Sequence, residues 1–280
     1  MKVGAVSLPQ DRDTYLQRLI SRPFALRYAS VRSSDSKESG QNGQDFVAFH
    51  IDEKHVTFCV CDGVSQSFYG ELASRHLGSN LLEWLKGRMP YTLEAKPLAD
   101  ALTEYLDDLS RIASHEIKRQ EIPKNVSWLL AEVLEEKRSR GSETTFACGI
   151  VEMPNQWFPR GRVVLAWIGD CRVRVGQGSG WGIAVAEDPD CNKGKWNTKR
   201  GIVAGGLRVW TSEAVKDDGC AVRRVLSYTD GLALLDKVED IPSDERLSRL
   251  ILEAVDSEYS DDCSLLEIEI VGSGNTGLLC

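Results

Sequence analysis

Five aspartates in this sequence stand where a strand begins or ends, most of them beside a glycine. The strand-like run HVTFCVC (55–61) leads into Asp62-Gly63, and RVVLAWI (162–168) leads into Gly169-Asp170. The run over 221–228 leads, after Thr229, into Asp230-Gly231. Asp45 precedes FVAFHI (46–51), and Asp261, followed by Asp262, stands just ahead of SLLEIEIV (264–271). Carboxylates at strand ends can converge on one edge of a sheet, where several oxygen ligands bind a hard cation such as Mg²⁺ or Mn²⁺. A neighbouring glycine lets backbone, including a carbonyl ligand, approach such an ion closely. One Asp-Gly pair after a strand reads first as turn punctuation, because both residues favour turns. The same placement at five positions favours a shared site.

Hydrophobic periodicity outlines the elements that must position these residues. Runs 46–51 and 55–61, separated by Asp52, Glu53 and Lys54, read as a hairpin. The second run is apolar at nearly every position, so both of its faces are expected to be covered. Leu72, His76, Leu77, Leu81, Leu82 and Leu85 fall near helical spacing over 69–86. Leu98, Leu102, Leu106, Leu109, Ala113 and Ile117 do the same over 97–119, and a third helix is expected over 126–138. Strands follow at 144–151, 162–168, 172–175 and 221–228, with a long loop through 187–206. A helix over 244–255 and a strand over 264–271 close the pattern. Strands, then grouped helices, then strands predict an α+β layered domain rather than alternating βαβ units.

Composition narrows the function classes. The chain has 280 residues, 42 Asp+Glu against 34 Lys+Arg and a net charge of -8. That length supports a substantial core, and the acidic balance argues against binding nucleic acid through a basic face. No stretch approaches the roughly 20 apolar residues that span a bilayer, and the N-terminus lacks a signal-like apolar region. A cytoplasmic protein is expected, with no membrane partner. The 8 cysteines form no C-x-x-C pair and read as reduced core thiols. The 4 histidines are scattered without ligand spacing, which argues against zinc.

In order along the chain stand GQDF (43–46), FCVCDGVSQSFYGELASRHL (58–77), GSETTFACGI (141–150), VLAWIGDCRVRV (164–175), VLSYTDGLALL (225–235) and DDCSLLEI (261–268). This ordered set resembles the metal-dependent protein phosphatase family, the protein phosphatase 2C type, and within it the compact bacterial branch. The resemblance implies a four-layer α/β/β/α sandwich of two mainly antiparallel sheets flanked by helices. It also implies a catalytic domain over 24–272, an N-terminal extension over 1–23 and a flexible tail over 273–280. The implied activity is hydrolysis of phosphoserine and phosphothreonine by a hydroxide bridging two Mn²⁺ or Mg²⁺ ions, with a third ion possible in the family. Carried over by position, Asp62 would bridge the two metals and Gly63 would offer its carbonyl. Asp230 and Asp261 would complete the first metal, Asp45 would support the second, and Asp170 would hold the third. Asp62 and Asp45 are thus the catalytic candidates. The partner implied is a phosphorylated protein substrate, with a monomeric catalytic core.

Three departures accompany the match. Gln44 stands where many members have Glu, and its amide brings no charge to the second metal. The phosphate-binding arginine of many members is replaced by Ser39-Gly40-Gln41-Asn42, leaving Arg32 or Arg27 to substitute through a longer loop. Val64 stands where animal members carry a histidine, which fits the bacterial branch. A pseudophosphatase that binds phosphoproteins without turnover, and a small-molecule phosphohydrolase, therefore stay open as alternatives. Lys193, Lys195, Lys199 and Arg200 fall in the family's flap region. They read first as a solvated loop and second as a means of capturing acidic substrate segments.

Overall fold

A computed structural model describes residues 4–177, 194–216, 219–257 and 260–271. Its first half runs β1 (Ala5–Leu8), β2 (Thr14–Ser21), β3 (Phe24–Val31), α1 (Ser34–Glu38), β4 (Phe46–Ile51), β5 (His55–Gly63), α2 (Gly70–Gly87), α3 (Ala95–Arg119) and α4 (Trp128–Arg140). Then follow β6 (Glu143–Glu152), β7 (Arg162–Ile168), β8 (Arg172–Gly176), β9 (Lys195–Asn197), β10 (Gly201–Val203), β11 (Arg208–Ser212), β12 (Val215–Lys216) and β13 (Gly219–Cys220). The last elements are β14 (Arg224–Tyr228), a 3₁₀ segment (Asp230–Lys237), α5 (Asp244–Val255) and β15 (Cys263–Ile270). One sheet has the order β1-β4-β5-β6-β7-β11, with the β9–β10 hairpin attached to β6. The second has the order β2-β3-β15-β14-β8, β12 and β13 form a separate two-stranded ribbon, and the pairings in all three are antiparallel.

Strand alternation sorts the side chains into layers. Val56, Phe58 and Val60 of β5 enter the core between the sheets, where they join Leu26, Val173, Val225 and Leu266. Cys59 and Cys61, on the other face of β5, lie under α2 and α3 among Leu77, Leu81, Leu102 and Leu106. The outer face of the second sheet, with Ala29, Leu226 and Leu265, is covered by Leu247 and Ile251 of α5 and by Leu232 and Leu235. The result is the expected α/β/β/α sandwich. Cys59, Cys61, Cys148, Cys171 and Cys263 are buried free thiols, in keeping with their reading as core residues.

Two regions depart from the sequence reading. Residues 5–21, expected as an extension ahead of the catalytic domain, supply β1 to one sheet and β2 to the other. β2 is an edge strand with no fully buried side chain, so its apolar signal is weak. The expected loop over 187–206 contains the short β9–β10 hairpin. Its anchor is Trp196, fully buried, whose Nε1–H donates to the Leu106 carbonyl of α3 at 3.0 Å. Lys193 and the expected tail over 273–280 lie outside the described residues.

Packing of α2 against the first sheet depends on Gly78. A Cβ there would lie 2.3 Å from Cδ1 of the buried Phe46 ring and 3.3 Å from Cys61 Sγ. Alanine at a helix interior ordinarily gains about 1 kcal/mol over glycine. Overpacking a rigid core costs about 1–3 kcal/mol. Gly78→Ala is therefore expected to lower stability in urea unfolding, reversing the sign of the helix preference.

Candidate active site

Strand register brings the aspartates to one end of both sheets. The β4–β5 ladder pairs Phe46 with Cys61, so one further step sets Asp45 across from Asp62. By alternation with Val47 and Phe49, and with Phe58 and Val60, both face the space between the sheets. In the second sheet β14 pairs Tyr228 with Arg172 of β8, and two further steps set Asp230 across from Asp170. β14 also pairs Tyr228 with Leu265, which brings Asp261 and Asp262 to the same end.

The electrostatics record this convergence. Burial pushes the Asp62 carboxyl well above its ordinary value of 3.8, and the charges of Asp45, Asp230, Asp170 and Asp261 push it further. Asp45 is raised by burial and by Asp262 and Asp261, against hydrogen bonds from Ser264 and Thr229 that favour its ionised form. Burial and Asp230 raise Asp170, while Thr145 and Arg172 oppose them. Burial also raises Asp261, with Asp230, Asp262 and Asp170 adding to it and the Asp262 N–H opposing. Asp45 is buried, Asp62, Asp170 and Asp230 are half-buried, and Asp261 is the most exposed of the five, so the cluster opens to solvent on one side.

Several residues given no role by the sequence hold this cluster in place. Thr229 Oγ1 donates to Asp45 Oδ2 at 2.9 Å and accepts from the Ser264 N–H at 3.0 Å. Asp262 is spent on structure: its carboxylate accepts the Ser33 N–H at 2.8 Å and the Gln44 N–H at 2.6 Å. Gln10, fully buried, accepts the Asp45 N–H through Oε1 at 3.2 Å. Its Nε2 donates to Ser264 Oγ at 3.2 Å and to the Val31 carbonyl at 3.4 Å. One amide thereby ties the two sheets together beside Asp45. Thr229 could be noticed as the residue within the YTDG stretch, but Gln10 carries no sequence signal.

The first turn of α2 presses onto the Asp62-Gly63 backbone. A Cβ on Gly63 would lie 2.6 Å from the Gln44 carbonyl oxygen and from Gly70 C, and one on Gly70 would lie 2.5 Å from Gln44 Oε1. Ser74 Oγ donates to the Gln44 carbonyl at 2.5 Å. The positive end of the α2 dipole thus sits near the carboxylates.

The donor set fits hard divalent cations. All the candidate ligands are oxygens, and Gln44 Oε1 and Asp230 Oδ1 are buried acceptors with no hydrogen-bond partner. No three of these aspartates bring ligand atoms within 4.8 Å of one another; the group among the described residues that does so is His50, Asp52 and His55.

The arginines and the basic segment are engaged by the protein itself. Arg32 donates from Nε and from its backbone N–H to Asp13 Oδ1, each at 3.0 Å, and from Nη1 to the Gln41 carbonyl at 3.3 Å. Arg27 pairs with Glu267 and Asp244. Lys195 and Arg200 flank Glu143 at 3.6 and 3.2 Å, and Lys199 donates to the Ser139 carbonyl near the end of α4 at 2.8 Å.

No protein-family model matches the chain, and no curated protein matches it. Solved structures do. The serine/threonine phosphatase Stp1 of Staphylococcus aureus superposes with a TM-score of 0.56 at 14% identity, covering 93% of this chain and 99% of that one. The S. agalactiae serine/threonine phosphatase gives 0.55 at 12% identity, covering 88% and 99%. The catalytic domain of the serine/threonine protein phosphatase PstP, solved with two manganese ions, gives 0.51 at 18% identity, covering 89% and 100%. The fold of this chain is the fold of the bacterial serine/threonine phosphatases.

The raised carboxyls have a thermodynamic signature. A carboxyl whose pKa is higher folded than unfolded holds more protons in the native state, so stability falls as pH rises from about 4 through the folded value. In EDTA the protein is expected to lose thermal stability over that window. Asp62→Asn removes one of the mutually repelling charges and should raise Tm in EDTA. Mn²⁺ is expected to raise the Tm of the parent protein, and the same substitution should abolish that rise, as read by differential scanning fluorimetry.

Proposed function

We propose that this chain is a metal-dependent protein-serine/threonine phosphatase, working as a monomer in the cytoplasm on phosphoserine and phosphothreonine. The observation that carries the reading is the meeting of Asp45, Asp62, Asp170, Asp230 and Asp261 at one end of both sheets, where the charges of neighbouring aspartates push Asp45, Asp62, Asp170 and Asp261 upward. The buried free thiols support a reducing compartment. In this reading Asp62, the Gly63 carbonyl, Asp230 and Asp261 would hold one cation, Asp62 and Asp45 a second, and Asp170 a third. Bound divalent cations would supply Lewis acidity, acidifying a water and neutralising phosphoryl oxygens.

The chain's own groups prepare the cleft. Thr229 donates to Asp45, which stabilises the ionised carboxylate and fixes its direction. Asp262 holds the Gln44 N–H, so the backbone leading into Asp45 is set before anything binds. The close packing of Gly70 on Gly63 keeps the backbone after Asp62 from shifting. Arg32 is the proposed phosphate-binding residue, and reaching a phosphate would compete with its bonds to Asp13.

Purified protein is expected to hydrolyse p-nitrophenyl phosphate and a phosphothreonine peptide with Mn²⁺ and to stop in EDTA. Loss of a residue that only orients a metal ligand costs about 10–100-fold, so Asp62→Asn should cost about a hundredfold or more. Turnover by that variant that is independent of added metal would sink the assignment.

A second reading, a phosphoprotein-binding module without turnover, is favoured by the uncharged Gln44 and by the Asp13 hold on Arg32. Calorimetric titration with Mn²⁺ separates the two. Two well-bound ions speak for the enzyme, and one or none speaks for the binding module.

A further inference from the structure

The β4–β5 hairpin carries a second group of ligand-type side chains at its other end. Asp52 follows β4 and His55 opens β5, while Asp45 and Asp62 sit at the opposite end of the same two strands. At a rise of about 3.4 Å per residue, His50 stands about 17 Å along β4 from Asp45. His50, Asp52 and His55 each offer one ligand atom, and these atoms all lie within 4.8 Å of one another. The two histidines, scattered by sequence spacing, meet because the hairpin folds one over the other: their rings stack with centroids 5.9 Å apart at 29°.

The group is held ready. Asp52 Oδ1 accepts the N–H groups of Lys54 at 2.7 Å and His55 at 2.9 Å, which fixes the carboxylate in the turn. Its Oδ2 then lies 3.1 Å from His55 Nδ1. All three residues are half-buried, and His50 Nδ1 is buried with no hydrogen-bond partner. A buried unpaired nitrogen is costly, and ligation through it would satisfy it. The charged groups facing His50 from α2 are Lys86 and Glu83, which pair with each other at 2.9 Å and so largely cancel.

We propose that His50, Asp52 and His55 form a second cation site, separate from the aspartate cluster, that takes a transition metal of the Zn²⁺ class. Two imidazoles and one carboxylate suit Zn²⁺ or Cu²⁺ rather than Mg²⁺, and three protein ligands leave a coordination position for water. The site differs from the aspartate cluster in both place and donor chemistry.

The test is calorimetric titration with Zn²⁺ of Asp62→Asn protein in excess Mg²⁺, which keeps the aspartate cluster from reporting. One Zn²⁺ per chain is expected. His50→Ala and His55→Ala should each weaken it about tenfold or more. Asp52→Asn keeps the Oδ1 acceptor that fixes the turn and should weaken Zn²⁺ through loss of charge alone, so it serves if a histidine variant does not fold. His50→Ala should leave the Mn²⁺-induced rise in Tm of otherwise unaltered protein unchanged. Absence of Zn²⁺ binding, or binding that none of the three substitutions alters, overturns the proposal.

Discussion

Like charges crowded together and partly withdrawn from water are the constraint on which the rest of this structure depends. Asp45, Asp62, Asp170 and Asp261 lose solvation and gain the repulsion of their neighbours, and both effects favour protonation. The surrounding chain limits the damage in three ways. Thr229 and Ser264 favour the ionised form of Asp45. The N-terminus of α2 lies against the Asp62-Gly63 backbone. Gln10 pins one sheet to the other beside the cluster, so repulsion cannot easily part them. The remaining repulsion is stability given up at a functional site, and divalent cations are the natural partners to return it.

Close backbone approach is the second half of the arrangement. Gly63 and Gly70 meet where no Cβ fits, and Gly231 lies so near the Asp262 carbonyl that a Cβ would fall 2.1 Å from it. The Asp-Gly pairs are thus more than turn punctuation at these points. The glycine lets two pieces of backbone touch, which draws the adjacent aspartate into the cleft.

The aspartate cluster was legible because alternation and strand ends are local signals, and antiparallel register then decides which ends meet. The layering was legible for the same reason: β5 reads as apolar on both faces because it is packed on both. What stayed hidden is non-local. β2 is half-exposed throughout, so nothing in its pattern separates an edge strand from an extension. Gln10 matters through partners far along the chain, from Val31 and Asp45 at separations of 21 and 35 to Ser264 at 254. The β9–β10 hairpin reads as a charged loop because its lysines and arginine outnumber its buried apolar anchor, Trp196. His50 and His55 looked unrelated because ligand spacing rules assume helices or knuckles rather than two strands folded back to back.

The β4–β5 ladder has a consequence for length rather than for residue identity. Its register sets Asp45 against Asp62 at one end and Ile51 against Val56 near the turn. Inserting or deleting a single residue inside either strand turns every side chain beyond that point to the opposite face. Asp62 would then point under α2 instead of between the sheets, however well each individual residue was kept. The same change in the segment between α3 and α4 would alter only a connection at the surface. Descendants of this chain should therefore accumulate insertions and deletions in the helical connections while β4 and β5 keep their lengths.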